Sequence, residues 1–370
     1  MKEIKSIIQL YQSQKTNGEK AAIAQVVRVE ESSYRREGAR MLVFESGVFE
    51  GGISGGCLEG DALQRSQIAI LKQEPSIVTY DTSKDDENQI GVGLGCNGVI
   101  DVLISPISDQ GRQITILEKC VKERKAHCIV TITDFQGGME DMKLGDAFYL
   151  DIENQTLEHC NNKEFANFVL ENLSKVLEKK RSQTFVYTSG NVKLAVLIEL
   201  IPPQFHLAIY GDNYDVYPML SFAKVLDWEV SLVGNVQKLK KEKLRSVKNF
   251  YLKDAEQRPK LDDRTAVILM AHDYNTDITN LKSVLESPAP YIASLGPRKR
   301  FEKMIKDFTA NGFEITKENQ NRIFAPCGLE IGANTPEEIA TSIFAEILTV
   351  FSGKMGGMLR KKMGPIHQRH

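Results

Sequence analysis

Two glycine-dense segments of this chain each carry a cysteine. The first, Gly51-Gly52-Ile53-Ser54-Gly55-Gly56-Cys57-Leu58-Glu59-Gly60-Asp61, reads as a turn from a strand into a helix. Backbone without side chains can approach a ligand closely, and a helix start offers an anion N–H groups that lack intrahelical partners. Cys57 falls at or near that start, where the helix dipole favours a thiolate, and a thiolate suits soft metals and sulfur chemistry. Glu59 opposes that shift. An isolated Gly-Gly-Cys is more often a tight turn around a small buried cysteine. Four glycines and a serine within residues 51–56 weigh toward a site. The second segment, Gly91-Val92-Gly93-Leu94-Gly95-Cys96-Asn97-Gly98, repeats the theme just before a strand. A β-bulge or wide hairpin would use those glycines too. The pairing of Cys57 with Cys96 favours one shared cleft, drawing on Ser54, Gly55, Gly56, Glu59, Gly95 and Gly98.

Three later segments are candidates for lining a ligand crevice. Gly211-Asp212-Asn213-Tyr214-Asp215 stands where a dinucleotide fold places G-x-G-x-x-G, yet only its first glycine is present. Asp212 and Asp215 bring negative charge to the place of a pyrophosphate, and strand WEVSLV ends in Gly234-Asn235 without the acidic residue that grips a ribose. Ordinary NAD binding is therefore not expected. Asn213 can take a left-handed conformation, and Asp215 can cap the next helix. Ala271-His272-Asp273 follows strand TAVILM at the carboxyl edge, where such sheets keep their crevice. His272 could hydrogen-bond or move a proton, although a lone histidine at a strand end is more often structural. Finally Cys327, Gly328 and Gly332 lie in a loop before the last helix, where the glycines either meet a ligand or make the connection.

These residues need a scaffold, and the 370-residue length sets its scale. Single cores stop growing at roughly 250 to 300 residues, so two domains are expected. No run of ~18 apolar residues is present, and the charged start MKEIKSIIQLYQSQK does not read as a signal peptide; a cytoplasmic protein is expected, without a membrane partner. Six scattered cysteines without a CxxC pair fit reduced thiols. The net charge is −2, and the basic stretches at 238–243, 179–181 and 360–362 are short and lack interleaved aromatic residues; nucleic acid is not an expected partner.

The periodicity predicts a helix over 1–16 on Ile4, Ile7, Ile8 and Tyr11, then strands near 21–29, 40–44, 77–80, 99–104 and 129–133, with a helix over 58–71. Further strands are expected within 146–158 and 184–201, around a helix over 164–180. Pro202-Pro203 breaks the pattern. Beyond it, strands 206–210, 228–233, 249–252, 265–270 and 290–295 alternate with helices, which implies crossovers and a parallel sheet. Thr335-Pro336-Glu337-Glu338 opens the last helix with a capping box, and its Ile339, Ile343, Phe344 and Ile347 should cover the sheet. The expected fold class is α/β: a mixed, strand-rich N-terminal domain over 1–201, then a Rossmann-like doubly wound parallel sheet over 204–350. Residues 351–370 read as a basic, mobile tail.

Five ordered motifs, SGGCLEGD at 54–61, GLGCNGVIDVLI at 93–104, MAHDYNTD, PAPYIASLGPRKR and PCGLEIGANTPEEIA, resemble those of the XdhC/CoxI family. These are accessory proteins of xanthine dehydrogenase, carbon monoxide dehydrogenase and related molybdenum hydroxylases. The resemblance implies a chaperone that binds the molybdenum cofactor (molybdopterin) transiently. It would hold the cofactor while a cysteine desulfurase supplies its sulfido ligand and deliver it to the hydroxylase apoenzyme, without being a turnover enzyme. It implies that Cys57, and with it Cys96, lies near the molybdenum, with Cys57 as metal ligand. The loop over 51–60 would cradle pterin or phosphate, and Gly211, Asn213, His272, Asp273, Gly328 and Gly332 of the second domain would hold the rest. A homodimer is expected. The family's phosphate turn usually reads like GAGHV, where this chain has GDNYD, so the nucleotide half departs from the pattern. Competing readings are an NAD(P)-dependent oxidoreductase, a cysteine-based sulfur or metal carrier, and a purely structural docking protein.

Overall fold

The computed structural model describes residues 1–15, 17–31, 33–81, 98–108, 111–138, 141–253 and 255–363. The chain divides into two compact units at the Pro203–Gln204 junction. Among the described residues no helix is long and apolar enough to cross a membrane.

The first unit repeats one plan twice. Helix α1 (Lys2–Lys15) leads into strands β1 (Ala21–Glu31), β2 (Arg40–Phe44) and β3 (Phe49–Gly51), helix α2 (Glu59–Lys72), and strands β4 (Ser76–Asp81) and β5 (Gly98–Pro106). Helix α3 (Arg112–Lys122) then opens the same succession: β6 (His127–Gln136), β7 (Ala147–Asp151), β8 (Thr156–Leu157), α4 (Lys163–Lys179), β9 (Gln183–Ser189) and β10 (Val192–Ile201). The two sheets have equivalent orders, β3-β2-β1-β5-β4 and β8-β7-β6-β10-β9. Every strand pair in them is antiparallel.

Two-residue periodicity explains how one strand serves two cores. Ala22, Ala24 and Val26 of β1 face the cluster under α2, whereas Ala21 and Ile23 face a second cluster with Ile4, Ile7 and Ile8 of α1 and Ile114 and Leu117 of α3. Helix α4 covers the second sheet with Phe165, Val169, Leu173 and Val176. The two halves are also pinned by charge. Arg40 on β2 and Glu199 on β10, 4% and 6% exposed in their side chains, form a two-pronged ion pair. Gln25 donates to Glu199 at 3.1 Å, and Arg40 donates to the Gly38 carbonyl at 2.6 Å.

The second unit is a single parallel sheet. Its strands are β11 (His206–Tyr210), β12 (Glu229–Val233), β13 (Asn249–Tyr251), β14 (Thr265–Leu269), β15 (Tyr291–Ser294) and β16 (Ile323–Phe324), ordered β13-β12-β11-β14-β15-β16. All its pairings are parallel. Numbered within the unit this is 3-2-1-4-5-6, the doubly wound Rossmann order with its switch between β11 and β14. Strands this buried need helices on both faces. Helices α5 (Val216–Val225) and α9 (Pro336–Ser352) pack one face through Met219, Leu220, Ile343, Phe344 and Ile347. Helices α6 (Tyr274–Val284) and α7 (Arg298–Ala310) pack the other through Leu281, Val284, Met304 and Phe308, and the short α8 (Lys317–Asn321) precedes β16. The expected capping box at Thr335 and Glu338 is present, with Pro336 in the first turn.

Candidate functional site

The first glycine loop joins β3 to α2 and is organised from inside by two side chains. The Ser54 hydroxyl oxygen accepts N–H groups of Gly56, Cys57 and Leu58, each at 3.1 Å, and the Cys57 thiol lies 3.4 Å from it. Ser54 in turn donates to Glu59, whose carboxylate takes the N–H groups of Ile53 at 3.1 Å and Ser54 at 2.8 Å. Burial works against ionisation of Glu59, but these hydrogen bonds outweigh it and hold its carboxyl below the usual range. The sequence expectation that this turn offers its N–H groups to an anion is corrected here. The groups of residues 53, 54, 56, 57 and 58 are already taken by Ser54 and Glu59.

What the loop does expose is a half-buried thiol beside bare backbone. Gly56 sits at φ +115, where a side chain is strained, and a Cβ there would meet open space. At Gly55 a Cβ would lie 3.4 Å from the ring of Tyr34, which is 70% exposed. Tyr34 is a site residue that sequence reasoning misses, since nothing in SSYRREG separates it from a loop residue. The next turn of the motif ties down its surroundings: Asp61 accepts the Tyr80 hydroxyl at 2.7 Å and pairs with Arg65 at 2.5 Å. Tyr80 lies on β4, and Asp81 at the end of β4 pairs with Val99 next to Gly98 on β5. The segment with the second cysteine thus leaves and rejoins the sheet beside strands tied to α2. Gly95 and Cys96 themselves lie outside the described residues, and so does the expectation that Cys57 and Cys96 face one cleft.

In the second unit a crevice of about 600 Å³ opens at the carboxyl ends of β11, β12 and β14, lined by Gly211, Asp212, Asn235, Lys238, Lys253 and Asp273 among others. Gly211 is required by close approach, because a Cβ would sit 2.6 Å from the Met270 carbonyl oxygen just past β14. Asp212 is engaged, pairing with Lys238 at 3.0 Å and accepting the Asn235 N–H at 2.9 Å. Asp215 stands at the N-cap of α5 but makes no capping hydrogen bond; it pairs instead with His272 Nε2 at 2.5 Å. It is His272, at φ +58, rather than Asn213 that takes the left-handed conformation. The histidine therefore has the partner that its sequence could not show, and the pair spans the switch point.

The other motifs lock into this frame. Asp273 caps α6 through the Thr276 N–H at 2.8 Å, and Thr276's hydrogen bonds hold its carboxyl below the usual range. Asp277, 1% exposed, accepts the Ala271 N–H at 3.1 Å and pairs with Arg300 at 2.6 Å, so MAHDYNTD and GPRKR are joined beneath the crevice. Glu346 on α9 takes both the Tyr291 hydroxyl at 2.6 Å and the Gly328 N–H at 2.8 Å. At Gly328 a Cβ would collide with the Ser342 hydroxyl, so this glycine serves the packing of α9, whereas Gly332 faces open space.

Two family models match this chain: the XdhC Rossmann domain over residues 207–347, and the XdhC and CoxI family over residues 15–81. The chain belongs to the XdhC and CoxI family. A Bacillus subtilis protein described as a probable xanthine dehydrogenase component is 26% identical over 89% of this chain and 93% of its own length. The molybdenum cofactor insertion chaperone PaoD of Escherichia coli is 24% identical over 40% of this chain and 41% of its own. A solved structure described as a xanthine dehydrogenase from Bacillus halodurans shares the fold, with a TM-score of 0.70 over 94% of this chain and 96% of that one, at 24% identity. In this member of the XdhC and CoxI family the described cysteines are all free. Burial pushes the thiols of Cys120, Cys128 and Cys327 up to about 12 and raises that of Cys160. Buried cysteines in apolar surroundings are inert. We expect iodoacetamide to modify Cys57 in the native protein at least ten times faster than Cys120, Cys128 or Cys327, read by peptide mass spectrometry. Equal rates would contradict the exposure of the loop thiol. Among the described residues no three His, Cys, Asp or Glu side chains gather as a metal set, so Cys57 can hold a metal only with donors that a ligand brings.

Proposed function

We propose that this protein is a molybdenum cofactor binding and insertion chaperone for a xanthine dehydrogenase-type molybdenum hydroxylase. One observation carries the reading: Cys57 stands half-buried on a loop whose shape is set by Ser54 and Glu59, beside open backbone at Gly56 and an exposed ring at Tyr34. A loop braced by its own side chains is pre-organised, so a ligand meets it without an ordering cost. The named functions of the relatives support the same reading.

In this account Cys57 offers one thiol to the molybdenum, Tyr34 offers a face on which a flat pterin can stack, and bare backbone at Gly55 and Gly56 lets the ligand approach. The cofactor brings the dithiolene sulfurs that complete the metal's ligand set. Cys96 and Gly95 belong to the same site, since their segment is anchored where Tyr80 is tied to α2. Ser54 and Glu59 then act by positioning the loop. A cysteine desulfurase supplies sulfur to the held cofactor, and the hydroxylase apoenzyme receives it. The protein works as a cytoplasmic homodimer and turns over no substrate of its own. Gly211, Asn213, His272, Asp273, Gly328 and Gly332 border the second unit's part in holding the ligand, and the Asp215–His272 pair occupies the place of a dinucleotide's pyrophosphate. Nicotinamide is therefore not the ligand in this account.

Activation of a cofactor-free xanthine dehydrogenase-type hydroxylase tests the proposal. Loaded protein should restore hydroxylase activity at least tenfold faster than the same amount of free cofactor. Equal rates would contradict a role in insertion.

A further inference from the structure

Among the described residues, eight buried side-chain polar atoms lack a hydrogen-bond partner, and four of them gather at one place in the first unit: Ser105 Oγ, Arg112 Nε, Gln113 Oε1 and Thr131 Oγ1. Such orphans are rare enough in native proteins that a cluster points to a missing water, ion or ligand. Ser105, Arg112 and Gln113 line a pocket of about 270 Å³ between the end of β5, the first turn of α3 and the turn from β6 to β7. Thr131 lines a cavity of about 30 Å³ that shares Ser105 and Gln113 with it, room for a buried water.

The pocket is built for negative charge. Arg112 and Lys143 bring two cations to its wall. Helix α3 starts there, and its N-cap, Gly111, supplies no side-chain cap, so the positive end of the helix is left to a ligand. The one acidic residue of the wall, Asp146, accepts the Lys143 N–H at 2.9 Å. The Arg112 guanidinium lies 4.8 Å over the Phe148 ring and donates to the His159 carbonyl at 3.4 Å, which holds it in place. Ser105 is 7% exposed, and its hydroxyl is unpartnered. Gly145, at φ +83, packs on it, and a Cβ there would come within 2.6 Å of the hydroxyl. Gln113 commits its amide N–H to the Pro106 carbonyl at 3.4 Å, which leaves its oxygen as an acceptor in the wall. An acceptor among donors selects an oxyanion that still carries a proton.

We propose that this pocket binds a phosphate group. Arg112 and Lys143 balance its charge, Ser105 donates to an oxygen, and Gln113 Oε1 takes the hydrogen of a protonated oxygen. The room beyond phosphate itself admits a small phosphomonoester as well as the free ion. The site does not depend on the reading of the Cys57 loop.

The test is calorimetric titration of the full chain with inorganic phosphate, glycerol phosphate and sulfate at matched ionic strength. The variants are Arg112→Gln, Ser105→Ala and Lys143→Gln, each checked by its unliganded melting curve. Lys143 is exposed, so its variant keeps the fold. We expect saturable binding of phosphate or of the ester, at least tenfold tighter than sulfate, weakened tenfold or more by Arg112→Gln and severalfold by the other two. Tighter binding of the free ion or of the ester identifies the source, and either supports the site. No saturable binding, sulfate binding as tight as phosphate, or binding unchanged in the folded variants would overturn it.

Discussion

Glu199→Gln should destabilise the first unit by about 3–5 kcal/mol, the usual result of removing one partner from a buried ion pair. The cause is the guanidinium left behind. Arg40 is buried, and the Gly38 carbonyl would be left to accept from it without a compensating charge. Gln25 would lose its acceptor as well. For a unit of about 200 residues such a loss lowers the melting transition by roughly 10 °C. The double variant Arg40→Met, Glu199→Leu should recover most of it, because the charges and their desolvation leave together. Urea unfolding followed in the first unit separates the outcomes. A loss under about 1 kcal/mol in the single variant would mean that water reaches the pair.

Ser54→Ala should open the cysteine loop and weaken cofactor retention tenfold or more. The substitution strands the N–H groups of Gly56, Cys57 and Leu58 and removes the hydroxyl that donates to Glu59, a local cost of about 1–3 kcal/mol. The pH dependence follows from Glu59. Its carboxyl is depressed in the folded chain, so its contribution is fully present above the ordinary carboxylate value of about 4.3 and is lost as pH falls through the lower folded value. Hydrogen exchange over residues 53–58 should accelerate in acid for the wild type, at a higher pH for Ser54→Ala, and without that step for Glu59→Gln. Identical acid profiles in all three proteins would refute the role given to this network.

The second unit is the more legible half. Its strands alternate with helices, so HLAIY, WEVSLV, NFYL, TAVILM and PYIASL can be read as runs between turn signals, and local chemistry at Thr335 announces α9. The strand Ile323–Phe324 gives no signal because two residues make no period. In the first unit the strands can be read but not their pairing. Neighbours such as β1 with β5 and β6 with β10 are brought together by contacts far apart in sequence, and the repeated plan of the two sheets lies in that pairing. Helix α3 is missed from sequence although Ile114, Leu117 and Cys120 recur on one face, because its polar start looks like an extension of the loop.

The site divides along similar lines. Residue type and spacing single out Ser54, Cys57 and Glu59, which the fold does bring together. They cannot show that Ser54 and Glu59 face inward to hold the loop while the thiol faces out. Nor can they pair His272 with Asp215, 57 residues earlier, or Asp277 with Arg300, because each pair forms only when the strands lie side by side. Tyr34 carries no local signal at all.

The most direct test of the central claim is anaerobic binding of molybdenum cofactor, released from a donor enzyme, to the wild type and to Cys57→Ser, with molybdenum and pterin quantified in the recovered protein. The account predicts saturable, equimolar molybdenum and pterin on the wild type, and at least a tenfold loss of both in the folded variant. Wild-type protein that recovers neither, or a variant that retains both undiminished, would contradict it.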